Sequence, residues 1–92
     1  MPHITKELAQ KIAKKLGARI VDCSGKAHDR ALVFHGGRLI AWFGIRRGSG
    51  RDLGHDHVPK QIHVHPRQAR LLGQCPLERD DWIAILTEKG IL

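Results

Sequence analysis

The spacing of apolar residues first predicts an N-terminal helix. From Leu8 to Leu16, apolar side chains recur every three or four positions, which keeps them on one helical face. Thr5 stands before this run and Gly17 directly after it, and both are typical of helix ends. We therefore predict a helix over residues 5–16, with its lysines off the apolar face and available to water or to a ligand.

A β-hairpin is predicted in the middle of the chain. Two segments rich in apolar residues, Ala27–His35 and Arg38–Ile45, flank Gly36-Gly37, a dipeptide typical of a tight two-residue turn. If this turn is tight, the register pairs Phe34 with Leu39, Leu32 with Ala41, Ala31 with Trp42, and His28 with Ile45. A short β-like segment, Ala18–Cys23, precedes the hairpin, so three antiparallel strands are expected.

The C-terminal third is predicted to be mainly helical. One brief helix begins at Pro66 and runs through Leu72, and a last helix over Leu77–Lys89 buries Trp82. Before them, Gln61–His65 is compatible with a short strand. The order of elements predicts an α+β fold in a single domain over residues 1–92, with an N-terminal helix, a three-stranded antiparallel sheet and C-terminal helices.

Charge points to a nucleic-acid partner. The chain has 16 Lys and Arg against nine Asp and Glu, a net charge of +7. Residues 1–60 hold twelve of the basic and five of the acidic residues, whereas residues 61–92 hold four of each. Such an asymmetric basic surface is typical of proteins that bind phosphate backbones, and its alternative is a solvated face that only aids solubility.

The predicted nucleic-acid contacts cluster around the hairpin and the polar, Gly-rich segment 48–54. Glycines allow a backbone to approach phosphate closely, and arginines bind it through two parallel hydrogen bonds. The candidates are Lys26, Arg30, Arg38, Arg46, Arg47 and Arg51. Aromatic residues make up only 4% of the chain. We expect Trp42 to pack in the core, although on an open sheet face it would be able to stack on a base.

A histidine turn carries a resemblance to a known family. Gly25-Lys26-Ala27-His28 leads into a strand that ends Phe34-His35-Gly36-Gly37-Arg38, and the last helix closes with Gly90-Ile91-Leu92. This arrangement resembles the HicA family of toxins. The resemblance implies a fold like that of double-stranded-RNA-binding domains, metal-independent cleavage of RNA with His28 as the catalytic residue, and an antitoxin protein as partner. Histidine suits this role because its unperturbed pKa lies near neutrality.

Four of the seven histidines fall within eleven residues, as two His-x-His pairs. They are His55, His57, His63 and His65. On extended backbone, residues i and i+2 share a face, so each pair is able to chelate one divalent metal ion. The alternative is that these histidines form hydrogen bonds to the backbone and to nearby acids.

Three hypotheses follow from the sequence. The first is a HicA-like, metal-independent ribonuclease, the second is a non-catalytic RNA- or DNA-binding module, and the third is a metal-dependent nuclease or metal-binding protein. Cys23 and Cys75 are too few for a disulfide framework and are expected to be small buried residues. Without a long apolar run or a secretory signal, the chain is predicted to be cytoplasmic and free of the membrane.

Overall fold

The computed structural model describes residues 4–21, 28–46, 54–74 and 77–92. The elements in chain order are helix α1 (Lys6–Lys15), strands β1 (Arg19–Val21), β2 (His28–His35) and β3 (Arg38–Arg46), and helices α2 (Val58–Gln61), α3 (Pro66–Gln74) and α4 (Arg79–Glu88). This order confirms the α+β fold with its N-terminal helix, three-stranded antiparallel sheet and C-terminal helices. Within the described residues, no helix has the length and apolarity needed to cross a bilayer.

Helix α1 forms where the spacing and caps predicted it. Thr5 is extended, and its Oγ1 accepts a hydrogen bond from the Leu8 N–H, 3.2 Å away. This bond satisfies one of the main-chain donors that the first helical turn leaves free. Gly17 has a φ of 66°, a conformation that glycine adopts without strain, and it stops the helix. The predicted N-terminal helix is therefore confirmed.

The hairpin turn is confirmed, but the register changes at the third residue from the turn on each strand. Gly36 and Gly37 have φ values of 61° and 78°, as a two-residue turn with positive φ at both positions requires. Phe34 pairs with Leu39 as predicted, whereas Val33 pairs with Ala41. Ile40 is therefore an extra residue in β3, a β-bulge.

The bulge makes the other three predicted pairs wrong by one residue. Leu32 pairs with Trp42, Ala31 with Phe43, and His28 with Arg46. Paired residues lie on the same face of a sheet, so the shift moves Trp42 away from the face of Ala31. The expectation that Trp42 packs in the core is wrong, because 42% of its surface is exposed.

All the long helices lie on one face of the sheet and form the core with it. The sheet contributes Ala31, Val33, Ala41, Phe43 and Ile45, and the helices contribute residues such as Ile12, Leu72, Trp82 and Leu86. Trp82 is fully buried, as predicted, and its indole N–H donates to the Ile62 carbonyl at 3.0 Å. This hydrogen bond removes the penalty for burying the polar end of the side chain.

Two contacts set how the helices approach this core. Gly73 faces α1 so closely that an added Cβ would run into the Leu8 side chain. Arg79, in the first turn of α4, donates from Nε to the Leu16 carbonyl and from a terminal nitrogen to the Phe34 carbonyl. A single guanidinium therefore ties the start of α4 to the end of α1 and to the end of β2.

The strand that the alternation at Gln61–His65 suggested does not form. Gln61 ends α2 and Ile62 is its C-cap. The two N–H groups after the C-cap fold back, that of His63 to the Lys60 carbonyl and that of Val64 to the Pro59 carbonyl. This pattern is the Schellman end of a helix, with His63 at the left-handed position where glycine is usual and a φ of 65°. Ile62 and Val64 are buried, so the alternating pattern correctly indicates which residues are buried. These residues nevertheless form a turn and not a strand.

Candidate nucleic-acid interface

The face of the sheet opposite the helices is uncovered in the described residues and is called the open face below. The register divides it into four cross-strand rows: Phe34 with Leu39, Arg19 with Leu32 and Trp42, Val21 with Arg30 and Gly44, and His28 with Arg46. The open face is therefore apolar toward the hairpin turn and basic toward the other end of the strands.

The centre of the open face is an arginine stacked on a tryptophan. The guanidinium carbon of Arg30 lies 5.3 Å from the centroid of a Trp42 ring, within the distance of a cation–π contact. Gly44 is the β3 partner of Arg30, and Trp42 lies two residues before it. Because glycine leaves that position without a side chain, the Arg30 side chain has room to reach the indole.

Exposed apolar and cationic groups lie side by side on this surface. Phe34, Leu39 and Trp42 are 39%, 47% and 42% exposed. Arg19 and Arg46 are also exposed, and like Arg30 they form no salt bridge with any residue that the structure describes. Their charges are therefore available to an external anion, and the apolar groups next to them are available to a stacking partner.

The predicted nucleic-acid contacts are only partly brought together. Arg30 and Arg46 lie on the open face, and His28, the predicted catalytic residue, occupies the register position opposite Arg46. Arg38 begins β3 beside the turn and therefore lies at the other end of the strands. Lys26, Arg47, Arg51 and the remainder of the Gly-rich segment up to residue 53 lie outside the described residues, as do Cys23 and Cys75.

Two of the predicted metal ligands instead cover the free edge of β3. The Arg46 N–H donates to Nε2 of His55 at 2.9 Å. Nε2 of His57 lies 2.7 Å from the Gly44 carbonyl, and since a carbonyl only accepts, this nitrogen carries the proton. Gly44 and Arg46 are alternate residues whose main-chain groups point away from β2. The two imidazoles thus take the hydrogen bonds that a fourth strand would have made.

The same segment is held in place by the start of the chain. The His55 N–H donates to the Ile4 carbonyl, and the Ile4 N–H donates to Oδ1 of Asp56, both at 2.8 Å. Thr5 also forms an isolated bridge with Gly54. His55 is fully buried by this arrangement. Its position is therefore fixed by main-chain hydrogen bonding on two sides.

The four histidines do not converge on one point. The rings of His55 and His57 are neighbours, with centroids 5.5 Å apart, but Nε2 of each is engaged with β3. His65 accepts the Arg67 N–H at Nδ1, in the first turn of α3. Across residues 4–21, 28–46, 54–74 and 77–92, no group of three or more His, Cys, Asp or Glu side chains is placed to hold a metal ion. The segments are also not extended, which the predicted chelation required.

Sequence reasoning missed two residues of this region. Arg19 lies on the open face because it pairs with Leu32. The only signal in the sequence is that Arg19 and Val21 are alternate residues of β1, which places their side chains on the same face of the sheet. Gln61 lines a cavity beside Trp42 at the outer edge of β3. No local pattern marks Gln61, because its proximity to Trp42 depends on how α2 packs against the sheet.

The resemblance to the HicA toxins stays a prediction drawn from the sequence. No family model, curated protein or solved structure matches the chain. Any function has therefore to be derived from the chemistry of the open face and its edges.

Proposed function

We propose that this protein binds nucleic acid, and RNA in the first instance, on the open face of its sheet. The observation that carries the proposal is the exposed Trp42–Arg30 stack, with Arg19 in the same row as Trp42 and Arg46 two residues beyond Gly44. All of these arginines lack a described acidic partner. The net charge of +7 favours the same partner.

The mixture of groups fits nucleic acid better than it fits a simple anion. Arginines neutralise phosphates and release condensed counterions, which supplies affinity for any sequence. An exposed aromatic ring adds base stacking, which contributes about 1–3 kcal/mol for each stacked base. The apolar end of the open face is otherwise an unfavourable exposure of Phe34, Leu39 and Trp42 to water.

Charge reversal on the open face tests the proposal. Arg46→Glu changes the side chain but keeps the main-chain N–H that His55 accepts, so the edge of β3 stays intact. Arg70→Glu on α3 is the matched control, because Arg70 is also exposed but lies in the helical layer. We expect Arg46→Glu to weaken RNA binding and to reduce the salt slope by about 0.7 for each lost phosphate contact. Equal weakening by Arg70→Glu would contradict a specific role of the open face.

RNA cleavage is the second candidate function, and the backbone register favours it. His28 pairs with Arg46 and stands two residues before Arg30 along β2, so the backbone places one histidine position and two arginine positions at one end of the open face. In the reaction, the histidine takes the 2′-hydroxyl proton and the 2′-oxygen attacks the adjacent phosphorus. A 2′,3′-cyclic phosphate forms, the bond to the 5′-oxygen breaks, and that oxygen takes a proton from water. The arginines stabilise the charge on the phosphate oxygens.

Two variants separate cleavage from binding. We expect His28→Ala to abolish cleavage in the presence of a chelator while leaving the affinity for RNA close to that of the parent protein. His35→Ala is the control, because His35 is an exposed histidine at the other end of the same strand. Cleavage that continues in His28→Ala would remove His28 as the catalytic residue. The antitoxin protein implied by the resemblance to HicA stays a prediction.

A further inference from the structure

A small cavity opens where the open face meets the outer edge of β3. It has a volume of about 240 Å³, and its lining residues are Leu39, Ile40, Ala41, Trp42, Gln61 and His63. The bulge at Ile40 forms one wall, and the end of α2 forms the other. Bulges occur frequently beside functional sites, because they bend a strand and redirect its side chains.

The cavity lies beside the part of the β3 edge that His55 and His57 leave uncovered. His55 and His57 satisfy the outward main-chain groups of Arg46 and Gly44. By the alternation of an antiparallel strand, Trp42 is the next residue whose N–H and C=O point outward. No described side chain donates to the Trp42 main chain or accepts from it, and the side-chain amide of Gln61 also forms no hydrogen bond with the described residues. The outward main-chain groups of Trp42 and the side-chain amide of Gln61 therefore border the cavity without partners in the described chain.

The wall opposite the strand is fixed before any ligand binds. Lys89 Nζ donates to the His63 carbonyl at 2.7 Å, and the Trp82 indole N–H donates to the Ile62 carbonyl. These bonds join the turn after α2 to helix α4, which is part of the core. A binding site with a rigid wall loses less conformational entropy when it is filled.

We propose that this cavity binds one unpaired nucleobase, so that the open face takes single-stranded rather than double-stranded nucleic acid. This inference rests on the proposed function. The volume lies below the range of about 300–1,000 Å³ typical of drug-sized ligands, and it suits a single ring system. The Trp42 indole stacks on the base, and the Gln61 amide with the free edge of β3 forms hydrogen bonds to the base edge. In a duplex these base edges are already paired and the base faces are already stacked.

The proposal predicts which variants change affinity and which change base preference. Trp42→Ala removes the stacking surface and is expected to weaken single-strand binding by between about fivefold and about 150-fold. Gln61→Ala is expected to reduce the ratio of affinities between the best-bound and worst-bound homopolymers. Arg46→Glu is expected to weaken all homopolymers alike, because phosphate contacts carry no sequence information.

The experiment measures anisotropy with labelled oligoribonucleotides of A, C, G and U, and with the duplex formed from the A and U strands. The parent protein, Gln61→Ala and Gln10→Ala are compared, since Gln10 is an exposed amide on α1. Support consists of tighter binding to single strands than to the duplex, together with a smaller base preference in Gln61→Ala alone. Duplex binding as tight as single-strand binding, or an unchanged preference in Gln61→Ala, overturns the inference while the proposed function stands. Absence of binding to every probe at low salt rejects both.

A second measurement reports on Trp42 directly. Trp82 is fully buried, so a neutral quencher of tryptophan fluorescence acts on the exposed Trp42. Single-stranded oligonucleotide should protect this fluorescence from the quencher, and the duplex should not. If the bound single strand leaves Trp42 fully open to the quencher, the base does not stack there and the assignment fails.

Discussion

Replacement of His55 by alanine is the sharpest test of how the histidine-rich segment acts. The imidazole is fully buried, and its Nε2 accepts the Arg46 N–H at 2.9 Å. An accepting Nε2 belongs to the neutral ring, since a protonated imidazole donates from both nitrogens. His55→Ala therefore removes a buried ring and leaves a main-chain donor at the edge of β3 without its partner.

The expected loss of stability follows from those two changes. A lost hydrogen bond costs about 0.5–1.5 kcal/mol, and the incompletely filled space of a buried ring adds about 1–3 kcal/mol. The free energy of unfolding should therefore fall by about 1.5–4.5 kcal/mol. In a domain of this size, each kcal/mol lowers the Tm by about 4–8 °C, which gives a total decrease of about 6–36 °C.

The assay is thermal and urea unfolding followed by circular dichroism, with and without a chelator. His55→Gln should recover part of the loss, because the amide oxygen is able to accept the Arg46 N–H. His57→Ala should lose only about 0.5–1.5 kcal/mol, since that ring is exposed and contributes one hydrogen bond. His35→Ala, an exposed histidine on β2, should lie within about 0.5 kcal/mol of the parent protein.

Two outcomes would refute the edge-cap interpretation. One is a His55→Ala variant as stable as the parent protein, which would mean that the hydrogen bond and the burial contribute nothing. The other is a parent protein whose Tm falls on chelation while that of His55→Ala does not change. That second result would mean that His55 acts through a bound metal, and it would restore the metal hypothesis.

Three further predictions concern the fold around the open face. Gly73→Ala places a methyl group against Leu8 and should lower the free energy of unfolding by about 1–3 kcal/mol in urea denaturation, whereas Gln74→Ala next to it should not. Gly37→Ala forces a side chain into positive φ and should destabilise the hairpin by about 1–2 kcal/mol, measured as a decrease in Tm; an unchanged Tm would contradict the turn geometry. Arg79→Lys keeps the charge but is unable to reach both carbonyls with a planar fork, so amide hydrogen exchange at the start of α4 should become faster; unchanged protection would contradict the role of the guanidinium.

Local chemistry made part of the fold predictable from the sequence. The cap at Thr5 and the Gly36-Gly37 turn act within a few residues, and both elements form as predicted. The bulge was not predictable by the same reasoning. β2 and β3 carry apolar residues on both faces. The hydrophobic pattern therefore fits a regular register and a register with one extra residue equally well. A register counted from the turn therefore fails at Ile40.

The candidate site was predictable where charge alone defines it. Arg30 and Arg46 were identified from composition, and both lie on the open face. Trp42 and Gln61 come together only through the bulge and the packing of α2, which no local pattern reveals. The histidines show a different limit, because an imidazole nitrogen that can bind a metal can equally accept a main-chain N–H. Only tertiary structure decides which partner it meets.

The extra residue at Ile40 also has a consequence for chain length. If Ile40 were deleted, Leu39 would be followed directly by Ala41, and the pairs with Phe34 and Val33 would join into a regular ladder. Every remaining side chain of β3 would keep its face, and the core would lose only the packing of the partly buried Ile40. The deletion would instead straighten the wall of the cavity beside Trp42. A chain one residue shorter at this point should therefore fold in the same way and lose the discrimination among bases that we propose for the cavity.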